Sequence, residues 1–224
     1  MKSLLPNLKR LAENPVVALI GGDPFLRSEI QKRLREEALG ESFADMNFGQ
    51  YSAGEKPMGE VLAACRDFPC FAPRRVVLVQ DLEKLKKKEG SDLISYLKDP
   101  QPSTLLILEG AKADGRLEWV KVLKKNAEWV DVQEGSTPDA VAWVRECFSR
   151  LKGDFEEGVP EQMVEILGTS FGLLQQASDQ AHLLAGPGQA VTLQDLERLF
   201  VKVAEENIFE VLDALFQGDQ AGLH

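Results

Sequence analysis

Val16-Val17-Ala18-Leu19-Ile20-Gly21-Gly22-Asp23-Pro24-Phe25 is the stretch on which the fold turns. A run of apolar residues rich in β-branched side chains reads as a strand buried on both faces, and the glycine pair ends it. Asp23 then offers a carboxylate to the unpaired amides of a first helical turn, and Pro24 suits the first helical position. Apolar periodicity carries the helix from Phe25 to Leu39, where Gly40 stops it. The stretch is one strand-turn-helix unit.

Outward from it the unit recurs. Asp45 to Gly49 reads as a weak strand and Gly59 to Asp67 as a helix. Arg75 to Gln80 is a strong strand followed by a helix at Gly90 to Lys98. Thr104 to Glu109 is another strong strand, Gly115 to Lys125 a helix, and Glu128 to Val132 a last strand. Alternation at this spacing predicts an α/β fold, a parallel sheet with helices on both faces, because each parallel pair needs a crossover. The order of the strands is not readable from the pattern.

Beyond Val132 the strand runs stop. Ser136, Thr137, Pro138 and Asp139 form a helix start, and helices are expected at Ala140 to Leu151, Pro160 to Leu167, Ser170 to Leu184 and Leu193 to Ala204. Gly186 to Gly188 reads as a loop, with Thr192 and Asp195 as a cap for the helix after it. These patterns divide the chain into an α/β domain over 1–133 and a small all-α domain over 134–205. Ile208 to Phe216 looks like the opening of a third, helical region over 206–224, which Gly218 and Asp219 interrupt and which the chain is expected to leave incomplete.

The 224 residues are 44% hydrophobic and 28% charged, which excludes a disordered tail, a collagen-like repeat and a disulfide scaffold. A formal net charge of -10 gives no global attraction to DNA or to an anionic membrane. Cys65, Cys70 and Cys147 form no zinc pattern with His182 and His224, and their odd number favours a reducing compartment. Met1 to Asn14 has no signal-peptide core, and no apolar run approaches about 18 residues. A soluble, cytoplasmic protein without a metal or cofactor is expected.

Candidate chemistry is sparse. Gly21 and Gly22 stand where a phosphate-binding loop would, but no Gly-Lys dipeptide occurs in the chain, and Asp23 would repel a phosphate. Val76 to Val79, followed by Asp81 and Glu83, is a degenerate version of the acidic strand end that holds magnesium in ATPases. Gly168-Thr169-Ser170-Phe171-Gly172 spells the nucleophile elbow of α/β-hydrolases. That motif needs a strand before it, whereas here a helix precedes it, so Thr169 or Ser170 reads as a helix cap. His182 falls about three turns along the next helix. Lys84, Lys86, Lys87 and Lys88 form a basic run that could touch phosphate, but interleaved Asp81, Glu83 and Glu89 favour a solvated face. In Phe68-Pro69-Cys70-Phe71-Ala72-Pro73, periodicity favours both phenylalanines packing into the sheet edge. The other reading is an exposed hydrophobic anchor for a partner.

Several segments also share an order with a known family. These are Gly22 to Leu26; Pro69, Cys70 and Phe71 before Arg74 and Arg75; Glu83, Lys84 and Leu85; Asp99, Pro100, Pro102 and Thr104; Trp143 and Val144; and Asn207, Phe209, Asp213, Ala214 and Leu215 before Gly218 and Asp219. In that order the chain resembles the delta subunit of the bacterial DNA polymerase III clamp loader, over essentially its whole length. The resemblance implies an AAA+-like α/β domain with a small helical domain, neither binding ATP, and a collar domain that is truncated here. It implies a non-catalytic subunit that binds and opens the ring-shaped sliding clamp through Phe68, Pro69, Cys70 and Phe71. Cys70 stands where the family usually has leucine, which shifts weight onto Phe68. The implied partners are the clamp (the beta subunit), the delta-prime and gamma or tau subunits through the collar, and DNA only indirectly. A delta-prime-like stator competes within the same class, but its zinc-binding cysteines are absent. A serine hydrolase acting through Ser170 and a cryptic nucleotide-binding module are the readings from other classes.

Overall fold

The computed structural model describes residues 5–40, 44–86, 88–132 and 134–200. These divide into two compact units, one ending at Glu134 and one beginning at Gly135.

In the first unit, α1 (Leu8–Glu13) leads into β1 (Val16–Ile20), and Asp23 starts α2 (Pro24–Leu39) by accepting the Leu26 amide at 3.0 Å. Then come β2 (Phe48–Ser52), α3 (Met58–Arg66), β3 (Arg75–Gln80), α4 (Gly90–Lys98), β4 (Thr104–Gly110), α5 (Glu118–Asn126) and β5 (Glu128–Asp131). The strands make one five-stranded sheet in the order β2-β3-β4-β1-β5, with every pairing parallel. β1 thus lies between β4 and β5, and all its residues are buried. Alternate residues face opposite ways. Val16, Ala18, Ile20, Val77, Val79, Leu106 and Leu108 share one core with α3, α4 and α5, including Leu93, Tyr96 and Leu123. The opposite face is covered by α2, which packs on β1, β3 and β4 and is backed by α1.

The second unit holds α6 (Thr137–Leu151), α7 (Val159–Leu167), α8 (Phe171–Ala185) and further helix over 193–200. Trp143 and Phe171 meet edge to face at 6.1 Å, and the indole N–H donates to the Phe171 carbonyl at 3.1 Å. A buried aromatic with its polar atom satisfied adds area without an unpaired donor. Asp139 accepts the Ser136 amide at 3.0 Å, and Thr192 and Asp195 cap each other reciprocally.

Several expectations need correcting. The second strand lies at Phe48–Ser52 rather than Asp45 to Gly49, because Ala44–Met46 winds into a 3-10 turn and the register with β3 begins at Phe48. The helix expected from Gly115 begins at Glu118. Asp114 holds the Arg116 side chain at 2.7 Å and its carbonyl accepts the Leu117 amide, so a turn takes up those residues. α1 was not anticipated; Asn7 caps it by accepting the Arg10 amide at 3.1 Å. Residues 201–224, with the expected collar start and His224, and Lys87 lie outside the described residues.

Candidate functional site: an exposed tip at the starting end of the strands

The segment between α3 and β3 brings the predicted tip residues together. α3 ends at Arg66, and its Cys65 carbonyl accepts the Thr104 hydroxyl at 2.8 Å. Burial pushes the Cys65 thiol up to about 12, so it is a packing group rather than a nucleophile. The chain then turns through Phe68 to Pro73 before entering β3. Phe68 is 81% exposed and Phe71 80% exposed, which overturns their packing into the sheet edge. Pro69 and Cys70 between them are half-buried. Phe71 has φ +54°, a left-handed conformation that costs a residue with a Cβ on the order of 1–3 kcal/mol. The periodicity argument failed here because it assumes regular backbone, and these residues have none.

Two side chains brace the segment. Asn47, fully buried just before β2, accepts the Cys70 amide at 2.7 Å and donates to the Cys70 carbonyl at 2.8 Å, while its own carbonyl accepts the Val76 amide at 2.8 Å. Arg74 donates to the carbonyls of Ala12, Asn14, Pro102 and Thr104, tying the start of β3 to the starts of β1 and β4. Burial pulls the Arg74 guanidinium down from its ordinary pKa, and the carbonyls compensate its charge. Sequence reasoning passed over Asn47. Its partner lies 23 residues away, and an asparagine before an edge strand reads as an ordinary turn residue.

The opposite ends of the strands carry the remaining candidates. Arg27, only 8% exposed, donates to the Gly21 and Gly22 carbonyls and lies 3.5 Å from Glu109. The turn's carbonyls therefore face a cation, and Asp23 already fills the N-terminus of α2, where a phosphate would bind. Asp81 accepts from Ser52 at 2.7 Å and from Lys84 at 3.0 Å, and these bonds, the hydroxyl's foremost, hold its carboxyl below the usual range. Glu83 accepts the Ala111 amide at 3.1 Å. Both acids act as structural acceptors, and no cluster able to hold a metal ion occurs among the described residues. Lys84, Lys86 and Lys88 are exposed beside these acids.

Ser170 sits between α7 and α8, not after a strand, so the hydrolase context is absent. It occupies the N-cap position of α8 without the side-chain bond expected of a cap. His182 lies far along the same helix, its ring against Gly153.

The family model described as "DNA polymerase III, delta subunit" matches residues 18–133, more than half of the chain. The chain belongs to that family. DNA polymerase III subunit delta of Bacillus subtilis is 26% identical over 219 residues, covering 93% of this chain, which spans 63% of that relative's length. The solved structure of the Bacillus subtilis DNA clamp loader delta protein superposes with a TM-score of 0.64 at 23% identity, covering 97% of this chain and 70% of that one. A DNA polymerase III gamma subunit-related protein of Thermotoga maritima gives 0.55 at 17% identity, covering 83% and 60%. The RuvB branch-migration motor of the same organism gives 0.54 at 13%, covering 81% and 59%. The delta-family chain thus has the AAA+-like fold shared with these proteins. Among its described residues no helix is long and apolar enough to cross a membrane.

Proposed function

We propose that this delta-family chain binds a ring-shaped sliding clamp through Phe68, Pro69, Cys70 and Phe71, and favours the opened ring without hydrolysing ATP. It would act in the bacterial cytoplasm beside the other loader subunits. The observation that carries the reading is the pair of phenylalanine rings held out into solvent on a braced segment. Ordered, exposed aromatics are costly to a free protein and are the usual anchors of an interface. Such a protein opens a ring only by as much as it binds the open form better than the closed one. The tip would anchor, and the surrounding α/β surface would supply that difference. The Asp23 carboxylate on the helix start, with no Gly-Lys dipeptide in the chain, supports a subunit whose energy comes from ATPase partners.

Calorimetry of the chain with its cognate clamp, beside Phe71→Ala, tests the reading. The parent should bind, and the variant should lose about 2 kcal/mol or more. Equal affinities for folded parent and variant would remove the tip from the interface.

A further inference from the structure

We infer that Asn47 is a positioning residue for the tip, holding Cys70 so that Phe68 and Phe71 are presented ready-made to the clamp; this rests on the clamp-binding reading above. Asn47 is 0% exposed, and an amide buried so completely is tolerated only when its polar atoms are bonded. Two of those bonds go to one residue, Cys70, through its N–H at 2.7 Å and its carbonyl at 2.8 Å. A backbone N–H can only donate and a carbonyl can only accept, so both the amide's orientation and the plane of the Cys70 backbone are determined. The side chain pairs with Cys70 much as a neighbouring strand would. It does so from the residue that precedes β2, whose carbonyl is already locked to Val76 at 2.8 Å. Cys70 in the tip and Val76 in the strand that follows it are therefore tied to one residue. Phe71, next in sequence, sits at φ +54°, a conformation that persists only where its surroundings hold it. A segment ordered in advance avoids the entropy cost of ordering at the moment of binding.

Amide exchange by NMR on the unmodified chain comes first. The Cys70 N–H should exchange at least about tenfold more slowly than in a free peptide, although the tip is exposed. Free-peptide exchange there would overturn the inference without any variant. In Asn47→Ala the Cys70 amide should lose that protection while amides of β1 and β4 keep theirs, and clamp affinity should fall about tenfold. The Asn47→Ala and Phe71→Ala losses should be non-additive, because both act through the same rings. Additive losses, or a loss of protection spread over the whole sheet, would reduce Asn47 to a general stability residue and overturn the inference. If Cys70 loses protection yet neither variant alters clamp binding, the positioning geometry stands and the clamp reading fails.

Discussion

At the scale of the residue, the three cysteines separate cleanly by environment. Cys65 and Cys147 are buried, and burial pushes the Cys65 thiol to about 12, whereas Cys70 is half-exposed between the tip aromatics. The thiolate is the reactive form, so a maleimide or disulfide reagent at about pH 8 should modify Cys70 alone in the folded chain and all the cysteines after denaturation. Mass spectrometry of the labelled peptides checks this, and rapid native labelling at Cys65 would contradict its environment. Protection of Cys70 by the clamp would report occupancy of the tip directly. The order of Pro69, Cys70 and Phe71 before Arg74 was legible in the sequence. Their exposure was not, because whether a phenylalanine outside regular structure faces a core depends on braces such as Asn47 and Arg74 that come from distant segments.

At the scale of the element, glycine and capping chemistry set what can change. A Cβ at Gly135 would lie 1.9 Å from Cζ of Phe171, a ring that also packs against Trp143. Gly135→Ala should therefore cost about 1–3 kcal/mol in chemical denaturation, as overpacking does, and a neutral result would mean that the α8 start shifts easily. Asp139 and Asp195 have carboxyls held below the usual range, first by the hydroxyls of Ser136 and Thr192 and then by their amides. A depressed carboxylate contributes stability that is present above its unfolded pKa and lost as pH falls through the folded one. Melting temperature should thus fall as pH drops below about 4, and Asp139→Asn with Asp195→Asn should flatten that acid limb. An unchanged acid limb would mean that other groups cause it. The strong strands and the first capped helix were legible because five apolar residues, Gly21 and Asp23 each point to the same local structure. β2 was displaced in the reading because its half-buried residues owe their conformation to pairing with β3, not to a hydrophobic pattern of their own.

At the scale of the whole molecule, the tip and the glycine turn lie at opposite ends of the same sheet, roughly 20 Å apart for a six-residue strand. With Asp23 occupying the start of α2 and no Gly-Lys dipeptide in the chain, millimolar ATP and magnesium should leave the melting temperature unchanged, since a ligand that binds only the folded state must raise it. A rise of several degrees would revive a nucleotide-binding module. The alternation of strands and helices announced a parallel sheet, but the order β2-β3-β4-β1-β5 was not legible. Order is decided by which crossovers pack together, and no local pattern encodes that.

That order also bears on how the chain emerges from the ribosome. β1 is made well before either of its neighbours, which are β4, where Val16 aligns with Leu106, and β5, where Val17 aligns with Glu128. At about 5–20 residues per second, this wholly apolar strand waits on the order of 5–20 seconds for its first partner. During that interval α2 can cover one face of the strand, but both its edges and its other face stay unpaired, so chaperone demand should be greatest before β4 has left the exit tunnel.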